Sequence, residues 1–306
     1  GVAFWVLQSN MNKMSEAKKT ILVTGGAGFI GSHLCERLAK DGHKVISLDN
    51  YFTGSKDNHV EGVEYREGHT KDIGKHISEK PDIIYHFGEY SRVAKSLEEP
   101  DLVWDLNVAG TFGVLEFWRK KGGKLVYAGS STKAVGARED GVEGRDLAPY
   151  TWMKAANSEL VLNYGRWYNL SHVITYFYNV YGPGERAGVG GYGTVIATFI
   201  DCFKKGKPCE VREPGTQSRT FTHVDDTIEG IILAAEKGHG EGYSISAKES
   251  HTLLDVAKSL GTEIVMLPPT KTTRSHSVLD TEKIEALGWK QKYNLEDYIE
   301  DAKSGK

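Results

Sequence analysis

The chain has 306 residues, of which 39% are hydrophobic and 26% charged, with a formal net charge of -3; that is enough sequence for one large domain or two ordinary ones, and the charge balance excludes nucleic acid or an anionic membrane as the main partner. Three cysteines (Cys35, Cys202, Cys209) are too few and too scattered for a disulfide framework or a cysteine zinc site, and the histidines form no metal pattern. No apolar run approaches membrane-spanning length, so the expected setting is cytoplasmic.

Residues 1–17 read as a disordered or vector-derived leader. Gly1–Leu7 is apolar but lacks the basic segment and the cleavage site of a secretion signal, and Met11 and Met14 are candidate natural starts. Thr20–Thr24 is a β-branched apolar run and predicts a buried strand. A glycine-rich turn leads into a helix over Ser32–Lys40, stopped by Asp41-Gly42, and Lys44–Asp49 predicts a second strand. Further strands are expected at Val63–Arg66, Asp82–Phe87, Lys124–Ala128 and His172–Phe177, with helices at Ile73–Glu79, Asp101–Lys120 and Tyr150–Tyr168. This alternation implies parallel βαβ units with right-handed crossovers. The fold class is therefore α/β, a doubly wound parallel sheet over residues 18–178. Gly182–Gly193 holds six glycines and one proline and marks a long loop. Helices follow at about Val195–Lys205, Asp225–Lys237, Leu253–Ser259 and Asp280–Leu287, in a smaller C-terminal part.

Three segments carry chemistry. In Thr24-Gly-Gly-Ala-Gly-Phe-Ile-Gly31, between strand and helix, Gly25 permits a tight turn, Gly28 a close backbone approach to a pyrophosphate, and Gly31 close helix–strand packing. The helix start at Phe29-Ile30 offers free N–H groups to phosphate. Asp49 ends the next strand, where an acid holds the adenosine ribose and repels a 2′-phosphate. Asn50 follows it rather than a basic residue, which favours NAD over NADP. Pro149 opens a helix on which Tyr150 and Lys154 stand four apart, on one face. A nearby ammonium favours the ionised phenol, so Tyr150 is a candidate acid/base. The strand Leu125–Ala128 runs into Ser130, Ser131 and Thr132, at the end of a parallel strand where ligands bind.

Taken together, Thr24–Gly31, Asp49, Asn107, Ser130–Thr132, Tyr150 with Lys154, Tyr176–Pro183 and Arg219–Asp226 resemble the extended short-chain dehydrogenase/reductase family. Within it, the chain is similar to the NAD-dependent nucleotide-sugar epimerases and dehydratases of the UDP-glucose 4-epimerase-like kind. The resemblance covers about residues 18–300. It implies a Rossmann-type NAD-binding domain over 18–178 with a returning segment at about 219–240, and a nucleotide-sugar-binding part at 179–218 and 241–306. Asp72 and Ile73 would meet adenine, and Phe87, Gly88, Asn107 and Phe177 would line the cofactor. Asn179, Arg219 and Arg274 would meet the substrate diphosphate, Ser91, Arg92, Thr194 and Val195 the sugar, and Val211 and Arg212 the nucleobase. His223 in His-Val-Asp-Asp is structural, in a segment that opens a helix through Asp225 and Asp226.

The catalytic hydroxyl falls at Ser130 when counted from the strand. Counting back from Gly136 gives Ser131, because Lys133-Ala-Val-Gly136 replaces the usual Val-Tyr-Gly; a strand holds register better than a loop. The 4,6-dehydratases carry Asp-Glu just after that hydroxyl, whereas Ser131 and Thr132 offer no carboxyl here. The implied activity is C4 epimerisation of a nucleotide-diphosphate sugar, with UDP the commonest carrier, through a transient 4-keto sugar. A dehydratase, decarboxylase or reductase on such a sugar is the alternative. A homodimer is implied through the Asp101–Lys120 and Tyr150–Tyr168 helices, which carry Leu102, Trp104, Phe112, Leu115, Phe117, Trp118, Leu160, Leu162 and Trp167. Core packing accounts for about half of these side chains.

Overall fold

The structure is a computed structural model and describes residues 17–130, 144–177, 179–188, 193–272 and 279–305. Mainly apolar runs form strands β1 (Thr20–Thr24) and β2 (Lys44–Asp49), the charged run at the sheet edge forms β3 (Val63–Glu67), and mainly apolar runs again form β4 (Ile83–His86), β5 (Lys124–Gly129) and β6 (His172–Tyr176). With the strand Gly240–Ser244 they make one seven-stranded sheet, running Gly240–Ser244, β6, β5, β4, β1, β2, β3. Every pairing in it is parallel. The order reverses between β1 and β4, where Val23 lies opposite Tyr85 and Thr24 opposite His86. A parallel sheet of this kind opens its ligand crevice at the C-terminal ends of those two strands.

Strand alternation splits the side chains between two cores. Ile21, Val23, Val45, Tyr85, Val126 and Val173 pack with Leu34 and Leu38 of the Phe29–Lys40 helix and with Ile228 and Ile231 of the Val224–Lys237 helix. Leu22, Ile46, Ile84, Leu125, Tyr127 and Ile174 face the other way, against Val114, Phe117, Trp118, Val161 and Tyr164. A smaller core in the C-terminal part gathers Ile196, Phe199, Cys209, Val211, Val256, Leu260, Leu295 and Ile299.

Three elements differ from expectation. The Ile73–Glu79 helix shortens to Ile73–His76, because Arg66 Nη1 donates to the His76 carbonyl at 2.8 Å and draws it out of the helical ladder. The long helix expected at Asp101–Lys120 has helical ends, Pro100–Val103 and Gly110–Lys121, around a π-helical turn at Trp104–Ala109. The C-terminal helix Leu295–Ser304 was not anticipated; Asn294 caps it by accepting from the Asp297 N–H at 2.9 Å. Among the described residues no helix is long and apolar enough to cross a membrane.

Candidate active site

At the switch point two backbones touch. A Cβ on Gly25 would stand 2.8 Å from the Gly88 Cα, and one on Gly88 would stand 3.0 Å from the Gly25 amide nitrogen. Gly25 also holds a φ of 76°, a conformation that side chains resist. Thr24 closes the contact by accepting from the Phe87 and Gly88 N–H groups at 3.1 and 3.0 Å. The Phe29–Lys40 helix then starts without a side-chain cap, which leaves its first amides to a ligand.

A cavity of about 860 Å³ opens here, towards the upper end for a ligand site. Its wall brings together Gly25, Gly28, Phe29, Ile30, Gly31, Asp49, Asn50, Phe87, Gly88 and Phe177. Ser91, Arg92, Ser130, Tyr150, Lys154, Asn179, Thr194, Val195 and Arg219 line the same cavity. Five candidates stand outside the wall. Asp72 pairs with Lys75 at 3.0 Å, and Ile73 is in the core at 2% exposure. Asn107 is buried and bridges Tyr90, accepting from its N–H at 2.6 Å and donating to its carbonyl at 3.1 Å. Val211 belongs to the smaller core, and Arg212 donates to the Pro268 carbonyl at 3.1 Å. Ser131, Thr132, Lys133 and Arg274 lie outside the described residues.

Asp49 is arranged as an acceptor. Its Oδ1 takes the Tyr51 N–H at 2.8 Å and its Oδ2 the Ala27 N–H at 3.0 Å. Burial pushes its carboxyl above the usual range, and these two bonds oppose the shift. Each oxygen keeps a lone pair for a ribose hydroxyl. Elsewhere in the cavity lining the Asn179 Nδ2 is buried with no partner among the described residues, and the Asn179 backbone sits at a φ of 52°. An orphaned amide donor in a cavity wall suits an anionic ligand. A glycine cradle, a bare helix start and a ribose acceptor fit a dinucleotide. His223 opens the Val224–Lys237 helix, its Nδ1 accepting from the Asp225 N–H at 3.1 Å. Asp226 instead anchors the chain end, accepting from the Lys292 and Tyr293 N–H groups.

The helix Pro149–Tyr168 places Tyr150 in its first turn and Lys154 one turn on. Thr151 caps the start, its Oγ1 accepting from the Ala148 N–H at 3.0 Å. Lys154 Nζ donates to the Ala128 carbonyl and, at 2.9 Å, to Glu89 Oε1. Glu89 is the residue that sequence reasoning passed over; the signal was an acid directly after the strand-end pair Phe87-Gly88. Its Oε2 accepts from Thr111 Oγ1 at 3.0 Å, Tyr127 OH at 3.1 Å and Asn157 Nδ2 at 3.0 Å. Behind Thr111, His86 Nε2 lies 2.8 Å from Thr111 Oγ1, and His86 Nδ1 lies 2.7 Å from Thr24 Oγ1. Because an ionised carboxylate only accepts, the O–H and N–H groups point in sequence from Thr24 through His86 and Thr111 to Glu89. Burial lowers the His86 ring to about 4, with Lys154 adding to the shift and Glu89 opposing it. Burial works to raise Glu89, but the Lys154 charge, His86 and the hydrogen bonds hold it below the ordinary carboxylate range.

The match to the model of the NAD dependent epimerase/dehydratase family spans residues 21–246. A putative UDP-glucose 4-epimerase of Methanocaldococcus jannaschii is 31% identical, covering 91% of this chain and 95% of that one. A UDP-N-acetyl-alpha-D-glucosaminuronate decarboxylase of Bacillus cytotoxicus is also 31% identical, over 79% of each chain. Among solved structures, the Thermus thermophilus UDP-glucose 4-epimerase in complex with NAD is 29% identical with a TM-score of 0.82, covering 93% of this chain and 98% of that one.

Proposed function

We propose that the chain, which belongs to the NAD dependent epimerase/dehydratase family, inverts C4 of a nucleotide-diphosphate sugar with UDP as its carrier. The observation that supports this most is the sharing of one cavity wall by Ser130, Tyr150 and Lys154 and the dinucleotide cradle. NAD, held by the Gly25–Gly31 turn and Asp49, supplies a hydride acceptor that can return what it takes, so no second redox substrate is needed. Tyr150 removes the proton of the C4 hydroxyl and later gives it back. Ser130, 7% exposed at the end of β5, hydrogen-bonds the same oxygen. Lys154 supports the ionised phenol by its charge and holds the nicotinamide ribose. Asn179 and Arg219 grip the diphosphate, about which the 4-keto sugar turns to present its other face.

A second reading is decarboxylation of a uronic-acid sugar after the same C4 oxidation. Arg92 favours it: the residue lines the same cavity as Tyr150, where a sugar carboxylate would find a guanidinium partner. The experiment is mass spectrometry of the protein incubated with a panel of UDP-, dTDP-, GDP- and CDP-sugars without added reductant. An epimerase returns a product of unchanged mass and altered retention. Loss of carbon dioxide selects the second reading, and loss of water rejects both. Tyr150→Phe should abolish turnover while NAD remains bound; normal turnover would overturn the assignment.

The dimer belongs to the same proposal. Leu115, Phe117 and Trp118 are core residues and Leu102, Leu160 and Leu162 are partly buried against the cores, which leaves Trp104, Phe112 and Trp167, 55%, 54% and 53% exposed, as the side chains a partner copy would cover.

A further inference from the structure

Four donors converge on Glu89, and its side chain is 4% exposed. A neutral carboxylic acid would bring its own O–H into a shell already made of donors, so the site is built for the charged form. Lys154, 5% exposed, has one N–H left after Glu89 and Ala128, and its ammonium rests 4.6 Å above the Tyr127 ring. Nothing in a lysine that supports a tyrosine and a ribose hydroxyl requires a buried carboxylate at 2.9 Å.

We propose that Glu89 is a positioning residue for the Tyr150–Lys154 pair: it fixes the ammonium in place and cancels part of its field, so that Tyr150 senses an ion pair rather than a free lysine. This rests on the reading of Tyr150 as the acid–base group. Its chemical consequence is a phenolate formed with less electrostatic help, which is a stronger base and better matched to a sugar hydroxyl. The surrounding groups are accounted for from each packed element. His86 on β4 is neutral near pH 7. Tyr127 on β5 is held protonated by burial and by Glu89 itself. Thr111 and Asn157 contribute dipoles only. Arg92, Glu185 and Arg186 line the same cavity as Tyr150 and are unchanged in every variant of the test.

The test is a spectrophotometric titration of tyrosinate in the NAD-bound protein, with the Tyr150→Phe curve subtracted, for the wild type, Glu89→Gln and Glu89→Asp. Glu89→Gln should move tyrosinate formation at Tyr150 to lower pH by roughly one unit or more, since the charge that pairs with Lys154 at 2.9 Å, in the cavity wall shared with Tyr150, is removed. Glu89→Asp keeps the charge and should stay within about half a unit of the wild type on the same reasoning. Glu89→Ala, which removes the mismatched amide along with the charge, replaces the glutamine variant should that one fail to fold, and should shift the same way. Equal midpoints for wild type and the uncharged variants would overturn the proposal alone. A wild-type curve indistinguishable from that of Tyr150→Phe would overturn the reading of Tyr150 and this proposal with it. No nucleotide sugar is needed, so the result is independent of the substrate.

Discussion

Gly31→Ala places one methyl group at the tightest point of the cofactor cradle. The new Cβ would stand 2.0 Å from the Gly25 carbonyl oxygen, 2.8 Å from its carbon and 3.0 Å from the Gly26 Cα. All three are backbone atoms, so no side chain can swing aside. An ordinary carbon–oxygen contact is about 3.3 Å, so the Phe29–Lys40 helix must recede by about 1.3 Å. Overpacking of that kind costs about 1–3 kcal/mol of stability. The recession also withdraws the helix-start amides from the pyrophosphate. Each charge-assisted bond is worth about 1.5–3 kcal/mol, and weakening two by half predicts roughly a 10- to 150-fold rise in the Kd for NAD. Calorimetric titration with NAD, paired with thermal melting, measures both losses. Gly74→Ala is the control, since nothing lies within 4 Å of that Cβ, and it should leave both unchanged or melt slightly higher. Gly28→Ala separates the two effects: its nearest neighbour is 3.3 Å away, so the fold should tolerate it while the methyl blocks the pyrophosphate. NAD binding by Gly31→Ala within threefold (about 0.7 kcal/mol) of the wild type would refute the assignment of this turn as the phosphate cradle.

Asp49→Asn should weaken NAD binding by roughly tenfold or more and narrow the preference for NAD over NADP, both read from competitive binding; an unchanged preference would remove Asp49 from the ribose site. Burial raises Glu185 to about 7, against the bonds from Thr194 and Gly182 and the Arg92 charge. Because its folded pKa lies above the ordinary 4.5, its contribution to stability is complete below that pH and is lost as pH rises through about 7. Glu185→Gln should therefore out-melt the wild type above pH 8, by about 2 kcal/mol after solvent screening, and not at pH 4; a gain independent of pH would contradict this. The double variant Trp104→Lys/Phe112→Lys should sediment as a monomer while keeping NAD affinity, and a wild type that is itself monomeric would end the dimer reading.

The parallel sheet was legible because its five central strands, β1, β2, β4, β5 and β6, are mainly apolar runs buried on both faces, and the Gly25–Gly31 turn because three glycines at fixed spacing between strand and helix serve few purposes. Boundaries were blurred where tertiary bonds overrule local preference. The capture of the His76 carbonyl by Arg66 is one such case, and the π-helical turn carrying Asn107 is another. Glu89 escaped for a different reason. Its role depends on Thr111, Tyr127, Lys154 and Asn157 meeting from separate elements, and no spacing along the chain encodes that meeting. Val211 shows the converse, since its place in a strand of alternating burial sends it into the smaller core.

The bonds around Asp49 have a consequence for how long a cofactor stays. Ala27 donates to Asp49, and its carbonyl accepts from the Ser55 N–H at 3.0 Å and from Asn58 Nδ2 at 2.8 Å. The loop beside Asp49 is thus fastened by the protein's own groups, and departure of a dinucleotide bound there would set little of it free. Without a reward in loop entropy, dissociation has only broken contacts to show for itself, and release should be slow. Under the proposed epimerisation the redox cycle closes on itself and has no use for exchange, so the purified protein should carry NAD already bound, as the absorbance of its released cofactor would measure.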